Sequence, residues 1–155
     1  MKFDIIQKPE ELYVFIQISK GSKSFYIYDQ GTLVMSNTIS TPFPGNYGFA
    51  PKTHHDDAAP LDVVILSQEP LEPGSLVKTK PVGVIRLQGK LIDDVIIAVV
   101  GGGIKDVSEL PMKQINEISR YLESFKNLKL LKVLDAEHAK KMIELSIKRY
   151  QKENE

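Results

Sequence analysis

The chain has 155 residues, with 20 Lys and Arg against 20 Asp and Glu, no cysteine and no tryptophan. That length fits one domain, residues 1–155, with room for a real core, and 42% hydrophobic against 26% charged residues excludes wholesale disorder. Zero net charge argues against a surface built to grip nucleic acid or anionic membrane; zero cysteine excludes disulfides, thiolate zinc and a cysteine nucleophile.

The start, Met1 to Ile6, turns polar at Gln7-Lys8 and lacks the sustained apolar run of a secretory signal. The longest apolar stretch, Val95 to Ile104, is about half a bilayer span and holds a glycine triplet. The default compartment is therefore the cytoplasm. Leu12 to Ile18 is rich in branched and aromatic residues and predicts a strand. Phe25 to Tyr28 and Leu33 to Met35 flank Asp29-Gln30-Gly31, the pattern of a hairpin. The stretch Thr41 to Gly48 carries prolines that remove amide donors and fix φ, so no regular structure is expected there. Leu61 to Leu66, Leu76 to Thr79, Val82 to Leu87 and Val95 to Val100 supply further short strands, the last two joined at Gln88-Gly89-Lys90. So many short strands favour a closed or strongly curled sheet.

The last third is helical in pattern. Met112, Ile115, Ile118, Leu122 and Phe125 form one stripe of an amphipathic helix, with Ser108 as candidate cap and Pro111 in the first turn. Leu130 to Leu134 predicts a strand. Asp135 then caps a second helix with Ala139, Met142, Ile143, Ile147 and Tyr150 on one side. The class is α+β, a β-rich body closed by two helices.

Acidic chemistry concentrates at His54-His55-Asp56-Asp57-Ala58-Ala59-Pro60-Leu61-Asp62. Asp57 and Asp62 can converge on one hard cation if the Pro60 loop curls, and a solvated loop is the competing reading. Asp93-Asp94 precedes an apolar strand, where a polar strand end is the simpler reading. Gly101-Gly102-Gly103 lacks the lysine and hydroxyl residue that complete a phosphate loop.

Taken as a set, these segments resemble the soluble inorganic pyrophosphatases of family I. Pro44 to Thr53 resembles that family's Asn-Tyr-Gly segment, and Asp57 to Asp62 its Asp-x-Asp-Pro-x-Asp signature. Ile18 to Lys23, Gln68 to Gly74 and Tyr121 to Lys126 agree, so the likeness runs from about Gln17 to Tyr150. The resemblance implies a small five-stranded closed β-barrel of OB-like type, with additional β-hairpins and two C-terminal α-helices. It also implies magnesium-dependent hydrolysis of pyrophosphate to two phosphates, in a homo-oligomer such as a hexamer.

Position by position, the resemblance assigns Asp57, Asp62 and Asp93 to one Mg2+ site, and Lys126 and Tyr47 to substrate binding. The proton acceptor for the attacking water falls on Ala59, so no catalytic residue is intact. Further metal-binding carboxylates fall on Gln88, Gln17 and Ile27. Three phosphate-binding cations fall on Phe25, Met35 and Val95, and two pocket tyrosines fall on Phe43 and Phe125. The expectation is an eroded enzyme, weak or inactive toward pyrophosphate. The alternatives are a structural or regulatory subunit, associating with itself or an intact relative, and a re-purposed hydrolase or binder of another phosphate compound.

Overall fold

The computed structural model describes residues 3–56 and 58–154, so Asp57, the first of the expected metal ligands, lies outside the described residues. The elements in chain order are β1 (Leu12–Ile18), β2 (Ser24–Asp29), β3 (Thr32–Thr38), β4 (Asn46–Ala50), β5 (Leu61–Leu66), β6 (Leu76–Gln88) and β7 (Ile92–Val99). A short 3-10 turn at Val107–Glu109 leads into α1 (Met112–Lys126), then β8 (Lys129–Leu134) and α2 (Ala136–Glu153).

Alternation along the central strands builds two separate cores. Val64 and Leu66 of β5, and Val95, Ile97 and Val99 of β7, point to one face, where Ile115, Ile118 and Leu122 of α1 cover them. Val63, Ile65, Ile96 and Ala98 point to the other face, beneath Ala139 and Ile143 of α2. β1 serves both cores, because its pairing with β4 is irregular between Ile16 and Ile18 and the facing changes there.

The expected five-stranded closed barrel is corrected by the pairing. One six-stranded mixed sheet runs β1-β4-β5-β7-β6-β8, with β5 and β7 parallel. The long β6 bends along its length. Its first residues, Leu76 to Thr79, meet β1, and Val84 to Gln88 meet β8 along the same side. The sheet therefore curls strongly, yet β8 adds a sixth strand that ends the order. Of the expected additional hairpins, the described residues show β2–β3 as a separate two-stranded sheet.

Two local expectations also change. Leu76–Thr79 and Val82–Leu87 belong to one strand, because Pro81 sits beside a pairing irregularity with β7 between Pro81 and Gly83, where a missing donor is tolerated. The Pro44 segment is irregular only as far as Gly45, and Asn46–Ala50 forms β4. Asn46 stabilises that change of structure. Its buried amide donates to Ile65 O (3.1 Å) and Ser67 Oγ (2.8 Å) and accepts from the Lys20 and Leu71 amides at 2.9 Å each. Gly48 follows for a steric reason: a Cβ there would lie 1.9 Å from the Phe15 carbonyl oxygen.

Helix ends obey local capping chemistry. Asp135 caps α2 as expected, accepting from the His138 amide at 3.0 Å. Ser108 does not cap α1. It lies in the 3-10 turn, which Asp106 and Glu109 close by a reciprocal capping box, and Pro111 holds the N-cap position just before α1 rather than its first turn.

On the α2 face, Arg86 and Asp94 are direct cross-strand partners. Arg86 Nε and Nη2 donate to the two Asp94 oxygens at 2.7 and 3.2 Å, and His55 Nε2 lies 3.4 Å from Oδ2. Burial pushes the Asp94 carboxyl up, but hydrogen bonds from His55 and Arg86 and their charges outweigh it and hold it below its ordinary value.

Two stability experiments test this packing. Gly48→Ala meets unyielding backbone and is expected to cost about 3 kcal/mol in urea unfolding, whereas a loss below about 1 kcal/mol contradicts the close approach. A carboxyl with a depressed folded pKa contributes stability above its unfolded value, about 4, and loses it as pH falls through the folded value. Asp94→Asn should therefore flatten the acid limb of the stability profile, and cost about 3 kcal/mol near neutrality by stranding Arg86. An unchanged acid limb contradicts the assignment.

Candidate functional site

The site forms where the apolar rows of the α1 face run out. Along β5 the row Leu66, Val64 ends in Asp62, and along β7 the row Val99, Ile97, Val95 ends in Asp93. Because β5 and β7 are parallel and Asp62 is registered with Val95, the two aspartates finish at the same end of the sheet. The α1 stripe Ile115, Ile118, Leu122 reaches that end one turn later with Lys126.

Lys126 Nζ donates to Asp62 Oδ2 at 2.7 Å and to Asp93 Oδ2 at 3.0 Å. Its side chain is 14% exposed, against 29% for Asp62 and 37% for Asp93. Burial alone would lower the Lys126 pKa, but the charges and hydrogen bonds of Asp62 and Asp93 outweigh it and raise it, so the ammonium stays charged. Tyr47 of β4, registered with Val64, completes the group. Burial first, then Asp62 and its hydrogen bond, then Asp93, hold the Tyr47 phenol well above its ordinary pKa, so it remains a protonated donor to Asp62.

The described residues thus bring together Asp62, Asp93, Lys126 and Tyr47 as one constellation. Lys126 meets the two carboxylates, a contact that residue types could not announce. Ala59 lies in a tight exposed loop, where its carbonyl accepts from the His55 amide at 2.8 Å and its methyl group offers no proton acceptor. Ala58 beside it adopts φ +63°, a left-handed conformation uncommon for a residue with a Cβ.

The positions expected to have lost a polar or charged group divide into two kinds. Val95 is fully buried and Phe25 packs against the core on the α1 face. Phe43 and Phe125 build an aromatic cluster with Tyr47 and Tyr121, with ring centroids 4.6 to 5.4 Å from Phe43. Tyr121 turns its hydroxyl to the Thr41 carbonyl at 2.5 Å. Ile27 and Met35 on the hairpin remain open to solvent, at 37% and 52% exposure. A cavity of about 660 Å³ borders Asp93, lined by His55, Asp56, Lys90, Leu91, Ile92 and Leu128.

Among the described residues no three or more His, Cys, Asp or Glu gather as a metal set. The two aspartates nevertheless suit one magnesium ion. They are oxygen donors, and both reach a single point, the Lys126 nitrogen. Magnesium commonly takes only one or two carboxylates, with water and phosphate completing its shell. The Arg86–Asp94–His55 network on the opposite face went unpredicted. The turn at Gln88–Lys90 could have revealed it, because counting back from that turn registers Arg86 with Asp94.

Comparison with known proteins agrees with the geometry. The family model described as inorganic pyrophosphatase matches residues 14–151. The inorganic pyrophosphatase of Nanoarchaeum equitans is 38% identical over 159 aligned positions, which cover 92% of this chain and 99% of that protein. Soluble inorganic pyrophosphatase 2 of Chlamydomonas reinhardtii is also 38% identical, covering 92% and 82%. Among solved structures, the inorganic pyrophosphatase of Helicobacter pylori superposes with a TM-score of 0.88 at 29% identity, covering 97% of this chain and 99% of that one. That of Thermus thermophilus gives 0.85 at 28% identity, covering 97% of each chain. With a family model that matches residues 14–151 and relatives 38% identical over 92% of its length, the chain belongs to the inorganic pyrophosphatase family.

Proposed function

We propose that this chain is a diverged pyrophosphatase-family protein, one domain working in the cytoplasm, whose hydrolysis of pyrophosphate to two phosphates is weak or absent. The carrying observation is the pair of carboxylates, Asp62 and Asp93, that meet at one point beside Tyr47 and Lys126. Asp57, Asp62 and Asp93 would hold one Mg2+. The ion would neutralise phosphate oxygens and acidify a water molecule. Tyr47 supplies a hydrogen-bond donor and Lys126 a cation for the leaving phosphate.

What is missing determines the rate. Ala59 cannot take the proton of the attacking water, and Gln17, Ile27 and Gln88 bring no negative charge to hold further metals. Phe25, Met35 and Val95 leave the phosphate oxygens without three positive partners. Pyrophosphate is a dense anion whose hydrolysis depends on positioning and charge neutralisation. Loss of one such electrostatic contact costs roughly a hundred- to a thousandfold in rate.

Two further readings each have an observation behind them. Exposed Ile27 and Met35 on the hairpin favour a non-catalytic subunit, which would associate with itself, for example as a hexamer, or with an intact relative. Apolar Leu91, Ile92 and Leu128 along the cavity beside Asp93 favour a phosphate compound with a less charged leaving group.

A phosphate-release assay with pyrophosphate and Mg2+ tests the primary reading. Turnover is expected at least a hundredfold below an ordinary enzyme rate of about 10 per second. Turnover at that ordinary rate, abolished by Asp62→Asn or Asp57→Asn, overturns catalytic decay. Thermal stabilisation by a phosphate ester but not by pyrophosphate favours the ester reading.

A further inference from the structure

The Lys126 ammonium stands between the two carboxylates, Asp62 and Asp93, that are proposed to hold a metal. Its two contacts, 2.7 and 3.0 Å, engage one oxygen of each aspartate, Oδ2 in both cases. Placing a divalent ion between those oxygens requires the ammonium to leave them, because two cations a few ångströms apart in a partly desolvated cleft repel strongly. The Lys126 backbone cannot retreat easily. It closes the last turn of α1, whose Leu122 and Ile118 are buried in the core, and Asn127 ends the helix at φ 55° with its amide donating to the Glu123 and Ser124 carbonyls. The flexible lysine stem can yield without disturbing the helix.

We infer that Lys126 is a built-in competitor for the metal site, a tethered monovalent cation that a divalent ion must displace before Asp62 and Asp93 can bind it. The inference rests on the proposed metal site and deepens it. It assigns this lysine a role in setting metal affinity, ahead of any contact with phosphate. It also explains how a cleft with paired aspartates stays folded with its charges opposed. Displacement would turn the same ammonium outward, where an incoming phosphate oxygen could take it. Metal entry and the release of a phosphate-binding cation thus become one event.

Equilibrium titration with Mn2+, read from the electron paramagnetic resonance of the free ion, tests this without any turnover. Removing the tethered charge by Lys126→Gln, or by Lys126→Met to preserve the stem, should tighten Mn2+ binding by at least about tenfold, since each tenfold corresponds to about 1.4 kcal/mol. Lys126→Arg keeps the charge and should bind within about threefold of the parent chain. Lys129→Gln, which removes an exposed charge from β8, should change affinity by less than about twofold and so separates direct displacement from a general field. Parallel thermal unfolding of each variant verifies folding.

Unchanged or weaker Mn2+ binding by folded Lys126→Gln and Lys126→Met overturns the inference while leaving the metal site intact, provided Asp62→Asn abolishes binding to the parent chain. An equal gain in Lys129→Gln also overturns it. No Mn2+ binding by the parent chain or by the Lys126 variants overturns the proposed metal site, and the competitor with it.

Discussion

Two carboxylates share one ammonium at the end of the α1 face, and the rest of the site is arranged around that bridge. Asp62 ends the apolar row of β5, Asp93 ends that of β7, and Lys126 ends the buried stripe of α1. The parallel pairing of β5 with β7 brings the aspartates together, and helix packing delivers the lysine to them. Each partner is only partly exposed, so each charge needs the others. Tyr47 depends on the same arrangement, its phenol kept protonated by burial and by the neighbouring carboxylates.

Around the bridge, the framework and the pocket are built from different kinds of residue. The framework rests on the Asn46 network, the Gly48 close approach and the two helices. The pocket is lined by apolar residues: Val95 is buried in the sheet, Phe25 packs on the core, and Phe125 packs edge to face on both Phe43 and Tyr47, with Phe43 tilted against Tyr47. The proposed losses are acidic groups at Gln17, Ile27, Ala59 and Gln88, and basic groups at Phe25, Met35 and Val95. Those losses nearly cancel. A formal net charge of zero is therefore uninformative about the pocket, although it still counts against a broadly charged binding surface.

Local pattern exposed much of the fold, because the alternation of β5 and β7 and the helical stripes of α1 and α2 are properties of neighbouring residues. Asp135 as a cap was legible for the same reason. Closure was not. Whether a curled sheet ends at five strands depends on where β8 pairs, and its partner β6 lies some forty residues earlier in the chain. Pro81 looked like a strand break, because only the register reveals the irregularity that accommodates it. Asn46 looked like part of a loop, because its partners at Lys20, Ile65, Ser67 and Leu71 come from distant segments. At the site, the family resemblance singled out Asp62, Asp93, Tyr47 and Lys126, but the meeting of lysine with aspartates is a tertiary fact. Asp94 was undervalued because its partner Arg86 becomes visible only after the hairpin is registered.

The most direct test of a one-metal site held in reserve by its own lysine is a crystal soaked in Mn2+ and measured for anomalous scattering. The expected result is one peak between Asp62 and Asp93, with Lys126 Nζ withdrawn from both carboxylates. Several peaks filling the cleft toward Ala59 and Gln88 would contradict the erosion of the site. No peak at the two aspartates, with Lys126 still bridging them at saturating Mn2+, would contradict the metal site itself.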